Sequence, residues 1–183
     1  MPLKIIIGPM FSGKTTKLVD LYNSLTGSDV TSENILVINH NIDTRTTTGL
    51  ISTHDFTSKV PCVHLEHLMD AVTTPSLSKQ QYILINEAQF FPDLKVSVIK
   101  LVEQYCKTVI ICGLDSDYKR EKFGDIWDLI PHADCIIKLK GQCNNCMDQS
   151  LFTHRVSNEK DQEVIGTNNY IPLCRKCYAK LNP

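Results

Sequence analysis

Residues 8–15 read Gly8-Pro9-Met10-Phe11-Ser12-Gly13-Lys14-Thr15, a G-x-x-x-x-G-K-T loop that restricts the fold more tightly than any other feature. It follows a short β-branched run at residues 3–7 and opens a helix-like stretch at residues 14–25. Such a loop needs this context: a strand, a tight turn, then a helix whose free N–H groups and dipole face an anion. The glycines let successive N–H groups converge on phosphate oxygens. Lys14 is placed to reach the β- and γ-phosphates, and the Thr15 hydroxyl to ligate Mg²⁺. The plain alternative is an ordinary glycine-rich turn, yet the bare pattern arises by chance in under about 1% of chains this long. The expectation is a nucleoside triphosphate with Mg²⁺.

Further apolar runs at residues 35–38, 82–85, 109–112 and 135–139 suit strands buried on both faces, as in a parallel sheet. Helix-like stretches lie between them at residues 64–72 and 94–105. In the latter, Leu94, Val98, Leu101, Val102 and Tyr105 share one helical face. This alternation predicts an α/β fold, a parallel sheet flanked by helices. The 183 residues, 42% hydrophobic and 21% charged, have globular composition. No apolar run approaches the ~20 residues of a membrane helix. A net charge of −1 argues against bulk nucleic-acid binding. The opening run, interrupted by Lys4, is unlike a secretory leader, so a cytoplasmic address is expected.

The run at residues 82–85 ends in Asn86-Glu87. A strand end beside a phosphate loop would bring Glu87 to the mouth of the site, able to take a proton from an incoming hydroxyl. A solvated strand-end glutamate is the plain alternative. Composition then shifts near Lys140: residues 1–139 carry −3, whereas residues 140–183 carry +2 and both C-x-x-C pairs. This predicts a P-loop domain over 1–139 and a small metal-stabilised domain over 140–183. Cys143, Cys146, Cys174 and Cys177 form two close pairs separated by 27 residues, which suits a closed tetrahedral Zn²⁺ site. Two disulfides would need an oxidising compartment, and neither pair has the strand–helix context of a redox motif.

Taken together, the P-loop with its continuation Thr16-Lys17-Leu18, the Glu87-Ala88-Gln89-Phe90-Phe91-Pro92-Asp93 block and the two cysteine pairs resemble type II thymidine kinases, the cellular and poxvirus-like class. Further matches are Asp43-Thr44-Arg45, Thr53-His54-Asp55, Gly113-Leu114-Asp115 with Phe123-Gly124, and Val164-Ile165-Gly166 followed by Tyr170. The resemblance covers nearly the whole chain, in the family's order.

It implies a RecA-like α/β domain carrying ATP and a zinc-anchored lasso loop covering the nucleoside. The γ-phosphate would pass to the 5′-hydroxyl of thymidine or deoxyuridine. Glu87 would be the general base, and Asp43, Thr44, Arg45, Asn86 and Gln89 would join Gly8 to Thr15 around the nucleotide and its metal. Met10, Phe90, Leu114, Tyr118, Phe123, Thr153 and Tyr170 would enclose the base. Backbone groups around Glu163, Val164, Ile165 and Gly166 would bond its polar edge. A homotetramer and feedback inhibition by dTTP are also implied. The chain departs from the family at Asn86, where aspartate normally holds Mg²⁺ through a water, and at Tyr118, where phenylalanine is usual. A RecA-like ATP-dependent nucleic-acid-binding protein with a zinc ribbon is the second reading; it calls for a basic stripe with stacking aromatics, and a tail charge of +2 is weak support.

Overall fold

A computed structural model of the chain describes residues 2–43, 49–52, 58–164 and 166–182. The expected site residues Thr44, Arg45 and Ile165, and the Thr53-His54-Asp55 match, lie outside the described residues. In chain order the strands and α-helices begin with β1 (Leu3–Gly8), α1 (Lys14–Thr26), β2 (Ile35–His40), β3 (Leu50–Ser52) and β4 (Lys59–Pro61). Next come β5 (Val63–Leu65), α2 (Met69–Val72), β6 (Tyr82–Ile85), α3 (Leu94–Ile99) and β7 (Thr108–Leu114). The last are β8 (Cys135–Lys138), β9 (Gly141–Gln142), β10 (Gln149–Ser150), β11 (Phe152–Arg155), β12 (Tyr170–Leu173) and α4 (Arg175–Leu181).

Six strands form one sheet in the order β5-β2-β6-β7-β1-β8, and every neighbouring pair is parallel. Side chains alternate between faces along each strand, and the near-continuous apolar runs therefore feed two cores. On one face Ile5, Ile7, Ile83, Ile85 and Ile111 pack against Leu94, Val98 and Leu101. On the other, Ile6, Val37, Leu84 and Ile110 meet Leu18 and Val19 of α1 and Ile51 and Val60 of the β3–β4 hairpin. Each such side chain contributes about 1.5–3 kcal/mol when fully buried. All six strands point their C-terminal ends the same way, so the loops that follow β1, β2, β6 and β7 gather at one rim. Parallel α/β sheets bind ligands there.

Two expectations need correction. Residues 64–72 do not form one helix. Val63, His64 and Leu65 extend as the edge strand β5, paired with Ile38, Asn39 and His40, and α2 begins only at Met69. What starts α2 is remote: the Asp93 carboxylate accepts the backbone N–H groups of Leu68 (3.0 Å) and Met69 (2.8 Å). Those bonds, with one from the Ser97 hydroxyl, outweigh burial and hold the Asp93 carboxyl below its usual range. The run at 135–139 is also not buried on both faces. It supplies β8 at the sheet edge, with Cys135 and Ile136 exposed. The stretch at 94–105 is α3 continued by a wider π-turn over Lys100–Gln104.

Beyond the sheet, three small elements make a separate lobe. The hairpin β9–β10, the hairpin β11–β12 and α4 enclose a small core of Cys143, Leu173, Cys174 and Tyr178.

Candidate active site

The P-loop turns directly out of the central strand β1. Gly13 adopts a left-handed backbone (φ 80°) that begins α1 without a side-chain cap or an acidic residue in the first turn. The first turn of α1 thus turns its N–H groups and the positive end of its dipole toward the loop, an arrangement that favours an anion. Lys14 Nζ donates to the Pro9 carbonyl across the loop (2.8 Å). Residues of the small lobe press against the other side. Thr153 Oγ1 accepts the Met10 N–H at 3.0 Å, and a Cβ on Gly141 would lie 2.8 Å from the Phe11 carbonyl oxygen.

One cavity of about 350 Å³ runs from this loop to the lobe. Of the expected phosphate-side residues, Met10, Phe11, Ser12, Gly13, Lys14, Thr15, Asp43, Glu87 and Gln89 line it. Of the expected base-side residues, Phe90, Leu114, Tyr118, Phe123, Thr153, Glu163, Val164, Gly166 and Tyr170 line it too. Phe90 and Phe123 meet edge to face at 5.4 Å. Gly8 and Pro9 are not part of the lining, and Asn86 lies behind it, 1% exposed. Val164 spends both backbone groups on Tyr170, its N–H donating to the hydroxyl (3.2 Å) and its carbonyl accepting from it (3.1 Å).

Glu87 is presented by strain. It follows β6 in the left-handed region (φ 51°), where a non-glycine residue is uncommon and calls for support. That support is Gln89, which donates from Nε2 to Glu87 Oε2 (2.8 Å) and accepts the Leu114 N–H at Oε1 (3.0 Å). Gln89 fits only because its neighbour is bare: Gly124, at φ 63°, would put a Cβ 2.2 Å from the Gln89 carbonyl oxygen. The Phe123-Gly124 and Glu87-to-Asp93 blocks, with 29 residues between them, are therefore one packed unit.

Asn86 belongs to a buried amide chain. Its Nδ2 donates to Asn39 Oδ1 (3.0 Å), and Asn39 Nδ2 donates onward to Asp43 Oδ2 (3.1 Å). Asn86 Oδ1 accepts from the Thr15 hydroxyl (3.4 Å) and the Cys112 thiol (3.0 Å). Thr15 and Asn86 offer neutral oxygens beside the P-loop, and Asp43 brings the nearest wired carboxylate. Sequence reasoning missed Asn39, Ser116, Asp117 and Gln162; the first is a strand residue with no motif, and the others lie in a loop and a lobe that only the fold brings together. Asp115 of the Gly113-Leu114-Asp115 match does not reach the cavity lining and pairs with Lys138 at 2.7 Å.

The four lobe cysteines converge. Their sulfurs all lie within 4.8 Å of one another, and Cys146 Sγ is 3.6 Å from both Cys174 Sγ and Cys177 Sγ. All four are free thiols. A tetrahedron with metal–sulfur bonds of about 2.3 Å has sulfurs about 3.8 Å apart, so the set fits a metal ion. Burial works against ionising Cys143, but N–H groups of Cys174, Asn145 and Cys146 outweigh it and hold the thiol down to about 6. Cys146 and Cys177 are pushed the other way, Cys177 up to about 12 by hydrogen bonds with the neighbouring sulfurs, so the four thiols share charge unequally.

A phosphate cradle and an aromatic cavity that share one wall, at the rim of a parallel sheet, define a P-loop nucleotide-binding protein with room for a second ligand. The sequence profile described as "Thymidine kinase" matches residues 1–178. A protein of Oryza sativa subsp. japonica named thymidine kinase is 39% identical over 180 residues, covering 96% of this chain and 65% of its own length. The thymidine kinase of Yaba monkey tumor virus is 37% identical over 181 residues, covering 98% of this chain and 96% of its own. A Bos taurus protein named cytosolic thymidine kinase is 36% identical over 182 residues, covering 97% and 72%. This chain belongs to the thymidine kinase family. Among the described residues no helix is long and apolar enough to cross a membrane.

Proposed function

We propose that the chain transfers the γ-phosphate of ATP to the 5′-hydroxyl of thymidine or deoxyuridine, giving the monophosphate. Residues 1–139 carry the phosphate donor and the base, and residues 140–183 form the nucleoside lid. The observation that carries this reading is the single cavity: Lys14 and Thr15 line one end, Phe90, Leu114, Phe123 and Tyr170 the other, and Glu87 is on the same wall. Glu87, steadied by Gln89, takes the proton of the 5′-hydroxyl as it attacks the γ-phosphorus. Lys14 and the N–H groups of the P-loop meet the charge that spreads over the equatorial oxygens. Positioning and charge neutralisation are most of what phosphoryl transfer asks. Mg²⁺ bound with the triphosphate would supply the remaining neutralisation, with Thr15 and Asn86 on its side of the site. Zn²⁺ held by Cys143, Cys146, Cys174 and Cys177 would be structural, since four thiolates leave no open position.

We read dTTP as an inhibitor at the same cavity: its base would take the aromatic end and its phosphates the P-loop, so it would compete with both substrates. A cytoplasmic homotetramer completes the proposal. A coupled assay of ADP release with a panel of deoxynucleosides tests it: thymidine and deoxyuridine should drive turnover, and dTTP should raise the KM of both substrates. ADP release that ignores nucleosides but rises with single-stranded DNA would favour the RecA-like nucleic-acid ATPase instead.

A further inference from the structure

Residues 156–164 supply Gln162, Glu163 and Val164 to the cavity wall, yet none of the nine is buried and none belongs to a strand or helix. Beyond one backbone bond from Val156 to the Asn169 carbonyl (2.9 Å), neither core packing nor a ladder fixes this wall among the described residues. Behind it stands Arg155, the last residue of β11 and only 5% exposed. Among the described residues no ion pair includes it. A buried guanidinium without a carboxylate must be satisfied some other way. Here it is satisfied by the wall itself. One terminal nitrogen donates to the carbonyls of Glu159 (3.1 Å) and Asp161, the other to the Gln162 carbonyl (3.0 Å) and the Tyr170 hydroxyl (2.6 Å). Nε has no partner. The Tyr118 ring covers the guanidinium at 3.8 Å, and the Tyr170 ring lies at 5.1 Å.

We propose that Arg155 is a positioning residue for the nucleoside: it never lines the cavity, but it fixes the loop and the tyrosine that do. The assignment rests on the kinase reading above. Three carbonyls from one loop converge on a planar fork, so the loop's path is set by guanidinium geometry and not only by charge. The Tyr170 hydroxyl, holding both backbone groups of Val164, extends that order across the wall. A second tie runs from Gln162 Nε2 to Asp117 Oδ2 and the Lys122 carbonyl, both at 3.0 Å, and Tyr118 donates to the Lys160 carbonyl at 3.1 Å. Both of those end on the segment that carries Tyr118, so the stack on Arg155 keys the two together. The P-loop meets β11 through Thr153 and Met10, and none of the Arg155 hydrogen bonds described above reaches it.

The test compares native protein, Arg155→Lys and Arg155→Met, all with zinc retained. Amide hydrogen exchange across residues 156–164, read without substrate, should accelerate in both variants. Thymidine KM should rise roughly 10–100-fold, the scale of losing charge-assisted hydrogen bonds, while ATP KM stays within about twofold. Lysine should not rescue, because a point charge cannot hold three carbonyls in a plane. Native-like exchange in both variants overturns the anchor. Faster exchange with an unchanged thymidine KM overturns the positioning role. If Arg155→Met fails to fold, shown by loss of ATP binding, Arg155→Lys carries the same two readouts. Native protein that phosphorylates no nucleoside would sink the kinase reading, and the exchange data would still decide the anchor.

Discussion

The two ends of the cavity are held by opposite means. At the phosphate end, loops spring from strands buried on both faces, and two apolar cores carry Lys14 and Glu87, the latter steadied further by Gln89. At the nucleoside end the wall has four small strands, one short helix and a core of a few residues. Its order comes from point fixtures instead: four converging thiols, a stacked guanidinium and a saturated tyrosine hydroxyl. A packed sheet places groups by the sum of many weak terms and tolerates the loss of one. Point fixtures place them by a few strong directional terms, and each is close to indispensable. On the proposed reading the reacting groups sit on the first kind of support, and recognition is shared, with Phe90, Leu114 and Phe123 from residues 1–139 and Val164 and Tyr170 from the lobe.

If that division is right, damage at the sheet end should appear in kcat and damage at the lobe in the nucleoside KM. The largest effect falls on Glu87→Gln, which keeps shape and hydrogen bonding but cannot accept the proton. Its kcat should fall about 10²–10⁴-fold with ATP binding kept; a near-normal kcat in stopped-time product assays would make Glu87 a structural strand-end residue. Next comes the metal. Freshly reduced protein should hold about one Zn per chain, and Cys146→Ser or chelation should weaken thymidine binding roughly 10–100-fold while ATP affinity barely moves. Elemental analysis finding no zinc, or equal losses for both ligands by calorimetry, would break the comparison at its root.

A smaller effect is expected where the chain departs from its family. Asn86→Asp adds charge beside Thr15, so the Mg²⁺ concentration for half-maximal activity should drop by up to about 10-fold. The same change removes the donor to Asn39 Oδ1 and sets two oxygens face to face, or turns Asn39 over at the expense of its bond to Asp43. The variant should therefore melt earlier, by about 1–3 kcal/mol in urea. Equal Mg²⁺ midpoints with an unchanged melt would show that Asn86 is neither a weak metal support nor a structural amide.

The smallest effect concerns pH. His40 ends β2 against Phe91 and Phe90, at ring separations of 4.8 and 5.7 Å. Burial lowers its pKa below the usual 6.5, only partly opposed by Glu66 and Glu87. The unfolded chain thus takes up this proton before the folded one does, so the stability is present above 6.5 and is lost as pH falls through the lowered folded value. Urea midpoints between about pH 5 and 8 should show this slope, and His40→Asn should flatten it.

What could be read from the sequence is what acts locally. The P-loop, the strand ending at Glu87 and the paired cysteines each declare themselves within eight residues, because their chemistry demands adjacent groups. The strand β5 did not, since His64 and Leu65 look helical until Ile38 to His40 are there to pair with them. The Arg155 clamp was equally silent. A lone arginine in a polar stretch predicts a solvated surface, and only the arrival of Tyr118 from 37 positions upstream makes it an anchor. Gln89 was read as part of a motif, but its partners at Leu114 and Gly124 explain why that motif includes a glutamine at all.

The order of strands has a consequence for biosynthesis. β1, the first of this sheet's strands to leave the ribosome, lies between β7 and β8, the last two of its sheet. Its neighbours follow about 100 residues later, roughly 5–20 s at ordinary elongation rates. Until then an apolar strand and an open glycine loop must wait without their sheet, while β2, β5 and β6 can already pair. The nascent chain therefore exposes its nucleotide-binding strand longest of all, and slowing elongation before residue 108 should increase capture by chaperones more than slowing it after residue 138.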